Sequence, residues 1–269
     1  MGVLNVTPDS FSDGGLYLSF DAAVDHAEEM ARDGASIIDV GGESTRPGAE
    51  AVPEAEELER VIPVVERIAA GGLDVRVSVD TRKLAVAEAA LQAGARIVND
   101  VSAFRAAPEM AGLVASSGAR CCLMHMLGDD PRTMQADPRY DDVVAEVKAF
   151  LEERLAIATG EGVPEENVWL DPGIGFGKTL DHNLELLRRL DEIVAIGRPV
   201  VVGTSRKSFL GKLTGRPAPE RVAGTVATNV MALERGASIF RVHDVAPNVE
   251  ALTVAAATLS GQWKRTPTT

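Results

Sequence analysis

The chain has 269 residues, and its 27 Lys and Arg stand against 40 Asp and Glu, a formal net charge of −13. The length suits one large domain, and the acid excess argues against sequence-independent nucleic-acid binding, which needs a basic face for the phosphates. The stretch Met1 to Val6 lacks the basic flank and long apolar run of a signal peptide, and no apolar segment reaches membrane-spanning length, so a cytoplasmic protein is expected.

In chain order, short apolar, β-branched runs alternate with amphipathic stretches of helical length. The expected strands are 2–6, 36–41, 75–80, 96–101, 120–126, 168–171, 199–204 and 238–242. Continuous Val, Ile and Leu, without strict alternation, is the pattern of parallel strands covered on both faces. Expected helices include 21–32, 54–68, 84–93, 141–158, 184–193 and 221–235. The order is βαβα, hence α/β, and eight such pairs fit a single-domain (β/α)8 TIM barrel spanning 1–269, with an open doubly wound sheet as the alternative. The two cysteines, Cys121 and Cys122, are adjacent within an expected strand. Their side chains would point to opposite faces, so they read as buried thiols and not as a disulfide or metal ligands.

Most helices end at a glycine just before the next strand: Gly34, Gly94, Gly118 and Gly236. Glycine tolerates the left-handed conformation that closes a helix, so these turns read as tight and structural. The connections that follow each strand are longer and richer in Gly, Pro, Asp, Ser and Thr: 7–19, 43–53, 127–140 and 205–219. Function is expected on that side, at the strand C-termini.

Each apolar run stops at polar residues: Asn5; Asp39 with Glu43 and Thr45; Asp80; Asn99; His125; Asp171; Thr204 to Lys207; and Arg241 with His243. A closed barrel would gather them in one pocket. They sort into two chemical sets. Asp80, Asn99, Asp171 and Lys207 suit a flat, nitrogen-rich heterocycle, with carboxylates and an amide exchanging in-plane hydrogen bonds and an ammonium answering a carbonyl oxygen. Arg46, Arg206, Arg241 and His243, with the hydroxyls of Ser44, Thr45, Ser205 and Ser208, suit an anion, and Asn5 offers a hard oxygen to a Mg²⁺ that the anion carries.

Ordinary readings cover several neighbours. Asp100 and Asp244 read as structural caps, His125 as packing in the pocket wall, and His26 and His182 as surface or capping residues. The run GIGFGKT, Gly173 to Thr179, is not a Walker motif, because Pro172 stands where the first glycine is required.

Eight blocks in order identify a resemblance. GVLNVTPDSFSDGG (Gly2–Gly15), GGESTRPGA (Gly41–Ala49), VSVDT (Val77–Thr81), IVNDVS (Ile97–Ser102), LMHM (Leu123–Met126), LDPGIGFGK (Leu170–Lys178), GTSRKSFLG (Gly203–Gly211) and RVHDV (Arg241–Val245) make the chain resemble the dihydropteroate synthase family over nearly its whole length. The resemblance implies a transferase that condenses p-aminobenzoate with (7,8-dihydropterin-6-yl)methyl diphosphate, giving 7,8-dihydropteroate and pyrophosphate, a step of folate synthesis and a sulfonamide target. It further implies that Asp80, Asn99, Asp171 and Lys207 hold the pterin, with Met124 and Phe176 lining the slot. Thr45, Arg241 and His243 would hold the pyrophosphate, and Asn5 would ligate Mg²⁺. Asp13 and Arg46 would belong to closing loops, while Phe11, Thr45, Arg46, Pro47, Ser205 and Lys207 would shape the p-aminobenzoate pocket. Asp80, Asp171 and Lys207 would be the catalytic groups, and the partners would be these two small molecules and a second copy of the chain. Because the first block begins at Gly2, the first strand is expected to be short and its anchoring of Asn5 open. Two other readings stand beside this one: a pterin-dependent methyltransferase of a corrinoid system, which leaves the SRKS and RVH cations without a substrate anion, and a non-catalytic pterin-binding paralogue.

Overall fold

The computed structural model describes residues 1–6, 15–44, 50–130 and 133–262. Among them, strands and helices follow in the order β1 (Gly2–Asn5), α1 (Gly15–Arg32), β2 (Ile37–Gly41), α2 (Glu54–Ala70), β3 (Arg76–Asp80), α3 (Leu84–Gln92), β4 (Ile97–Asp100), α4 (Met110–Ser117), β5 (Arg120–Met124), α5 (Val143–Gly160), β6 (Val168–Asp171), α6 (Leu180–Arg188), α7 (Leu190–Val194), β7 (Val201–Val202), α8 (Ser208–Thr214), α9 (Val222–Glu234), β8 (Ile239–Phe240) and α10 (Val245–Ser260).

All strand pairs are parallel. Strands β1 to β6 run side by side in chain order, β7 pairs with β8, and the bridges Leu170 to Val200 and Gly2 to Val242 join the two groups into a ring. That closure excludes the open sheet. It also settles the first strand: β1 is short, as expected, but tied on both sides, with Val3 N–H donating to Val242 O at 2.9 Å and Val6 N–H to Gly41 O at 2.8 Å.

The two-residue period of a strand then sorts the side chains. One set, including Ile38, Val40, Val77, Val79, Val98, Leu123, Leu170 and Val202, packs with the helices in the main core. The alternate set points inward, where Ile37, Ile97, Cys122, Trp169 and Val201 form a separate apolar cluster that fills the barrel. Two residues further along the same strands, still inward, stand Asp39, Asn99, Met124, Asp171 and Gly203. The apolar layer is the floor of a polar one.

The cysteines are free and buried, and sit in the two different clusters. Burial pushes the Cys121 thiol up to about 12, so it stays protonated. Gly94 and Gly236 take φ of +114° and +97°, and a Cβ at either would lie within 3 Å of Ala69 on α2 or Val194 on α7 respectively. Both αβ turns are therefore glycine by conformation and by space.

Several boundaries differ from the sequence expectation. The expected helix 184–193 is two helices, α6 and α7, because Arg189 between them takes φ −109° and ψ 29° while its guanidinium bonds Asp142, Glu185 and Glu192. The expected loop 205–219 contains α8. Strand β7 shrinks to two residues between Pro199, which has no N–H to donate, and Gly203. Strand β8 is also two residues, and β5 ends at Met124, before His125 and Met126.

After β4 the chain turns through Ala103 and Phe104, both buried and both left-handed, at φ 52° and 65°. Asp100 forces that turn: its carboxylate accepts from Ser102 N–H (2.7 Å), Ser102 Oγ–H (2.7 Å) and Phe104 N–H (2.8 Å). The structural reading of Asp100 holds. Asp100→Ala leaves these donors buried and releases two strained residues, so it is expected to lower stability by about 3 kcal/mol, read from the denaturant midpoint. An unchanged midpoint would remove Asp100 from the account of this turn.

Candidate active site

The inward polar layer is joined by one guanidinium. Arg241, just past β8, donates from Nε to Asp39 Oδ2 at 2.6 Å and from Nη2 to Asp80 Oδ2 at 2.6 Å. Asp39 Oδ2 also accepts from Asn99 Nδ2 at 3.0 Å. Sequence reasoning put Arg241 with the anion set and Asp80 with the heterocycle set; here the two sets share a side chain. Burial pushes the Asp80 carboxyl up to about 7, opposed by Arg241 and reinforced by Asp39, since one cation is divided between two carboxylates. Burial disfavours the charged guanidinium too, but Asp39 and Asp80 outweigh it and hold Arg241 above its ordinary range.

Asp171 closes the layer from β6. Its Oδ1 accepts from Gly173 N–H at 2.7 Å, and burial raises its pKa against the pull of that N–H and of the charges on Lys207, Arg241 and Lys178. Asp80, Asn99, Asp171, Lys207 and Arg241 thus lie in one charged neighbourhood at the strand ends, which joins the four residues of the heterocycle set to one of the anion set.

One wall of that space is apolar. Met124 and Phe176 cluster with Val101, Met126 and Met134, and Lys207 Nζ stands 3.9 Å from the centre of the Phe176 ring, within cation–π range. The glycines of GIGFGK are there for packing: Gly173 (φ +67°) lies so close to His125 that a Cβ would come within 1.9 Å of its carbonyl oxygen. Behind the wall, buried Lys178 holds Phe176 O at 3.0 Å and meets His125 Nδ1 at 2.9 Å, while the His125 ring stacks edge-on against Phe150 at 4.9 Å. Burial lowers Lys178 to about 7 and His125 to about 2. This pair was missed in the sequence, where His125 alone was read as packing.

On the anion side, Arg206 adopts a left-handed φ of 57°. Its N–H donates to Thr225 Oγ1 (3.2 Å), its carbonyl accepts from Arg221 (2.9 Å), and its guanidinium forks onto Asp244 at 3.0 and 2.5 Å. Asp244 therefore serves as the partner of Arg206 and makes no side-chain cap on α10, contrary to expectation. Ser205 Oγ accepts the His243 N–H at 3.0 Å and lies 3.0 Å from His243 Nδ1. Burial, with Arg241 and Arg206 nearby, lowers His243 to about 3, so it is neutral, not the cation that the sequence suggested. In the tautomer whose Nδ1 accepts from the Ser205 hydroxyl, the ring's proton sits on Nε2.

Asn5 is half-buried at the end of β1, in register with Gly41, which is in register with Asp80 and through it with Asn99. Among the described residues no group of three or more His, Cys, Asp or Glu could hold a metal ion. One amide oxygen fits a Mg²⁺ whose other ligands come with a substrate, and does not fit a resident cation. Phe11, Asp13, Thr45, Arg46 and Pro47 lie outside the described residues. At the root of that second segment, Glu43 accepts from Lys83 Nζ at 2.7 Å, and Lys83 also bonds fully buried Glu57.

A family model described as pterin binding enzyme matches residues 1–243. The chain is 50% identical to the dihydropteroate synthase of Escherichia coli K12 over 262 residues, 97% of this chain and 92% of that protein. It superposes on Xanthomonas albilineans dihydropteroate synthase with 4-aminobenzoic acid at a TM-score of 0.91, with 49% identity and coverage of 97% and 92% of the two chains. A second structure of that enzyme, in complex with 7,8-dihydropteroate, gives 0.87, 46%, 97% and 93%. No helix among the described residues is long and apolar enough to cross a membrane. The chain belongs to the pterin-binding enzymes and, within them, to the dihydropteroate synthases.

Proposed function

We propose that this chain condenses p-aminobenzoate with (7,8-dihydropterin-6-yl)methyl diphosphate, as its family does, and that the inward polar layer carries the reaction. The observation behind this reading is the convergence of Asp80, Asn99 and Asp171 over an apolar floor, with Arg241 and Lys207 beside them. A pterin offers N–H donors along its edge, and these carboxylates and the amide supply acceptors fixed on strands. The Phe176 and Met124 wall takes the flat face, with the Lys207 ammonium above the ring. The diphosphate would meet Arg241 and His243, with Thr45 from the second loop.

In the reaction the bond from the methylene carbon to the diphosphate oxygen breaks, the electron pair leaving with the oxygen. The arylamine nitrogen then forms the C–N bond and loses a proton to water. Departure spreads positive charge over the pterin, and Asp80 and Asp171 stabilise it because their charge is already in place. Asn5 would hold Mg²⁺, which would supply charge neutralisation on the leaving diphosphate. The order is dissociative: the leaving group departs before the weakly basic amine needs more than positioning.

Mixing both substrates with Mg²⁺ is expected to release pyrophosphate and form dihydropteroate, and chelation of Mg²⁺ to stop it. Asp171→Asn is expected to cut kcat at least about tenfold, or roughly 1.4 kcal/mol in the barrier. Wild-type turnover in that variant would take Asp171 out of the mechanism, and a release rate strongly dependent on arylamine nucleophilicity would overturn the dissociative order.

The raised Asp80 carboxyl gives a pH signature. From an ordinary value of 3.8 it rises to about 7 in the fold. Charging it costs stability that is absent below about pH 4, grows between the two values, and is fully present above 7. Ligand donors need the ionised form. Affinity for a pterin lacking the diphosphate is expected to rise through pH 7 and level off above it, and Asp80→Asn to flatten the profile. The same rise in that variant would assign the titration elsewhere.

We also propose that two copies associate through α9 and α10, which pack side by side and leave Met231, Val254 and Leu259 exposed at 46%, 63% and 55%. Light scattering is expected to give twice the chain mass, and Val254→Glu to shift it toward the single chain. A monomer at all concentrations would rule this out.

A further inference from the structure

Asp39 is fully buried on β2, inward and two residues beyond the floor residue Ile37, and has no place in the chemistry described so far. Its Oδ2 accepts from both Asn99 Nδ2 (3.0 Å) and Arg241 Nε (2.6 Å), while its Oδ1 is buried without a hydrogen-bond partner among the described residues. A carboxylate only accepts. Asn99, itself 5% exposed, must therefore turn its nitrogen toward Asp39, which leaves its carbonyl oxygen on the other branch of the amide. Without that neighbour the amide has two orientations of nearly equal shape, one presenting an acceptor and one a donor.

We propose that Asp39 is a positioning residue that locks the Asn99 amide with its oxygen toward the slot, and so sets the preference for a heterocycle edge rich in N–H donors. With Asp80 and Asp171 as carboxylate acceptors, the locked Asn99 makes the three slot groups at the ends of β3, β4 and β6 acceptors together. A ligand that places a carbonyl where a pterin has its amino group would then set oxygen against oxygen. Buried acceptors left without donors penalise such an analogue heavily. The inference deepens the proposed function and rests on its placing of the pterin in this slot.

The test uses the whole enzyme and two probes of nearly identical shape, 6-hydroxymethylpterin and its 2-oxo counterpart 6-hydroxymethyllumazine, with affinities measured by calorimetry. Wild type should prefer the pterin. In Asp39→Asn, residue 39 can donate or accept, Asn99 is free to turn, and affinity for the pterin should fall about tenfold while that for the lumazine falls threefold or less or rises. Equal losses for the two probes, or no change in either, would overturn the proposal. The exchange Asp39→Asn with Asn99→Asp restores a donor at one position and acceptors only at the other. It should recover the pterin preference toward the wild-type ratio, and a folded exchange variant without recovery would also count against the idea. If Asp39→Asn does not fold, the exchange variant carries the test alone. Failure of the wild type to release pyrophosphate while still preferring the pterin would sink the catalytic reading and leave this one standing.

Discussion

The site is built around a charge imbalance that the barrel forces on itself. Strand periodicity brings Asp39, Asp80 and Asp171 into one buried layer, and Arg241 reaches the first two directly. An ion pair at about 4 Å gains roughly 4 kcal/mol at an effective dielectric constant of 20, while removing each charge from water costs several. One guanidinium therefore cannot fully discharge the debt of two carboxylates, and Asp80 resists ionisation to about 7 as a result. A layer that is short of positive charge is stabilised by any ligand that acquires some. In the dissociative order proposed above, such charge would appear on the pterin ring at the moment the leaving group departs. The groups that meet it need no rearrangement, because the ring of strands already holds them in place.

Rigidity beneath the layer has separate causes on its two sides. On the β4 side, Asp100 binds the turn that follows Asn99. On the β7 side, the left-handed backbone of Arg206 costs about 1–2 kcal/mol and is held by Thr225, Arg221 and Asp244. That local strain sends consecutive side chains in different directions: Ser205 to His243, Arg206 to Asp244, Lys207 over Phe176. A relaxed turn would not separate three functional side chains so sharply.

Much of this was legible in the chain. Repeated apolar runs ending in polar residues announced the barrel, because parallel strands buried on both faces have few polar positions to spare, and the glycines before β2, β4, β5 and β8 fixed the direction of the connections. The candidate slot residues stood out for the same reason. Asp39 was visible as a strand end, but its role required knowing that Ile37 faces inward, since spacing alone does not say which of two faces is the interior. The partnerships were hidden further. Arg241 lies 202 residues from Asp39 in sequence, and Arg206 lies 38 from Asp244. Nothing local marks either pair, so charged residues that look available in sequence prove to be committed in space. The split at Arg189 and the short strand β7 depend in the same way on neighbours supplied by the closed ring.

Those commitments change how the anion half of the reaction works. Of the cations gathered near it, Arg206 is matched to Asp244, His243 is neutral, and Arg241 is already divided between Asp39 and Asp80. On the proposed reading a diphosphate would meet little uncompensated positive charge from these three residues, an arrangement that suits an anion carrying its own divalent cation. It can also draw on Arg241. Any such pull would weaken the hold of Arg241 on Asp80, and Asp80, whose ionised form that guanidinium favours, would then depend on positive charge from the pterin to stay charged. On the proposed reading the two halves of the substrate would be coupled through one guanidinium: the positive charge that the leaving group draws away from Asp80 is replaced by the charge its departure creates on the pterin.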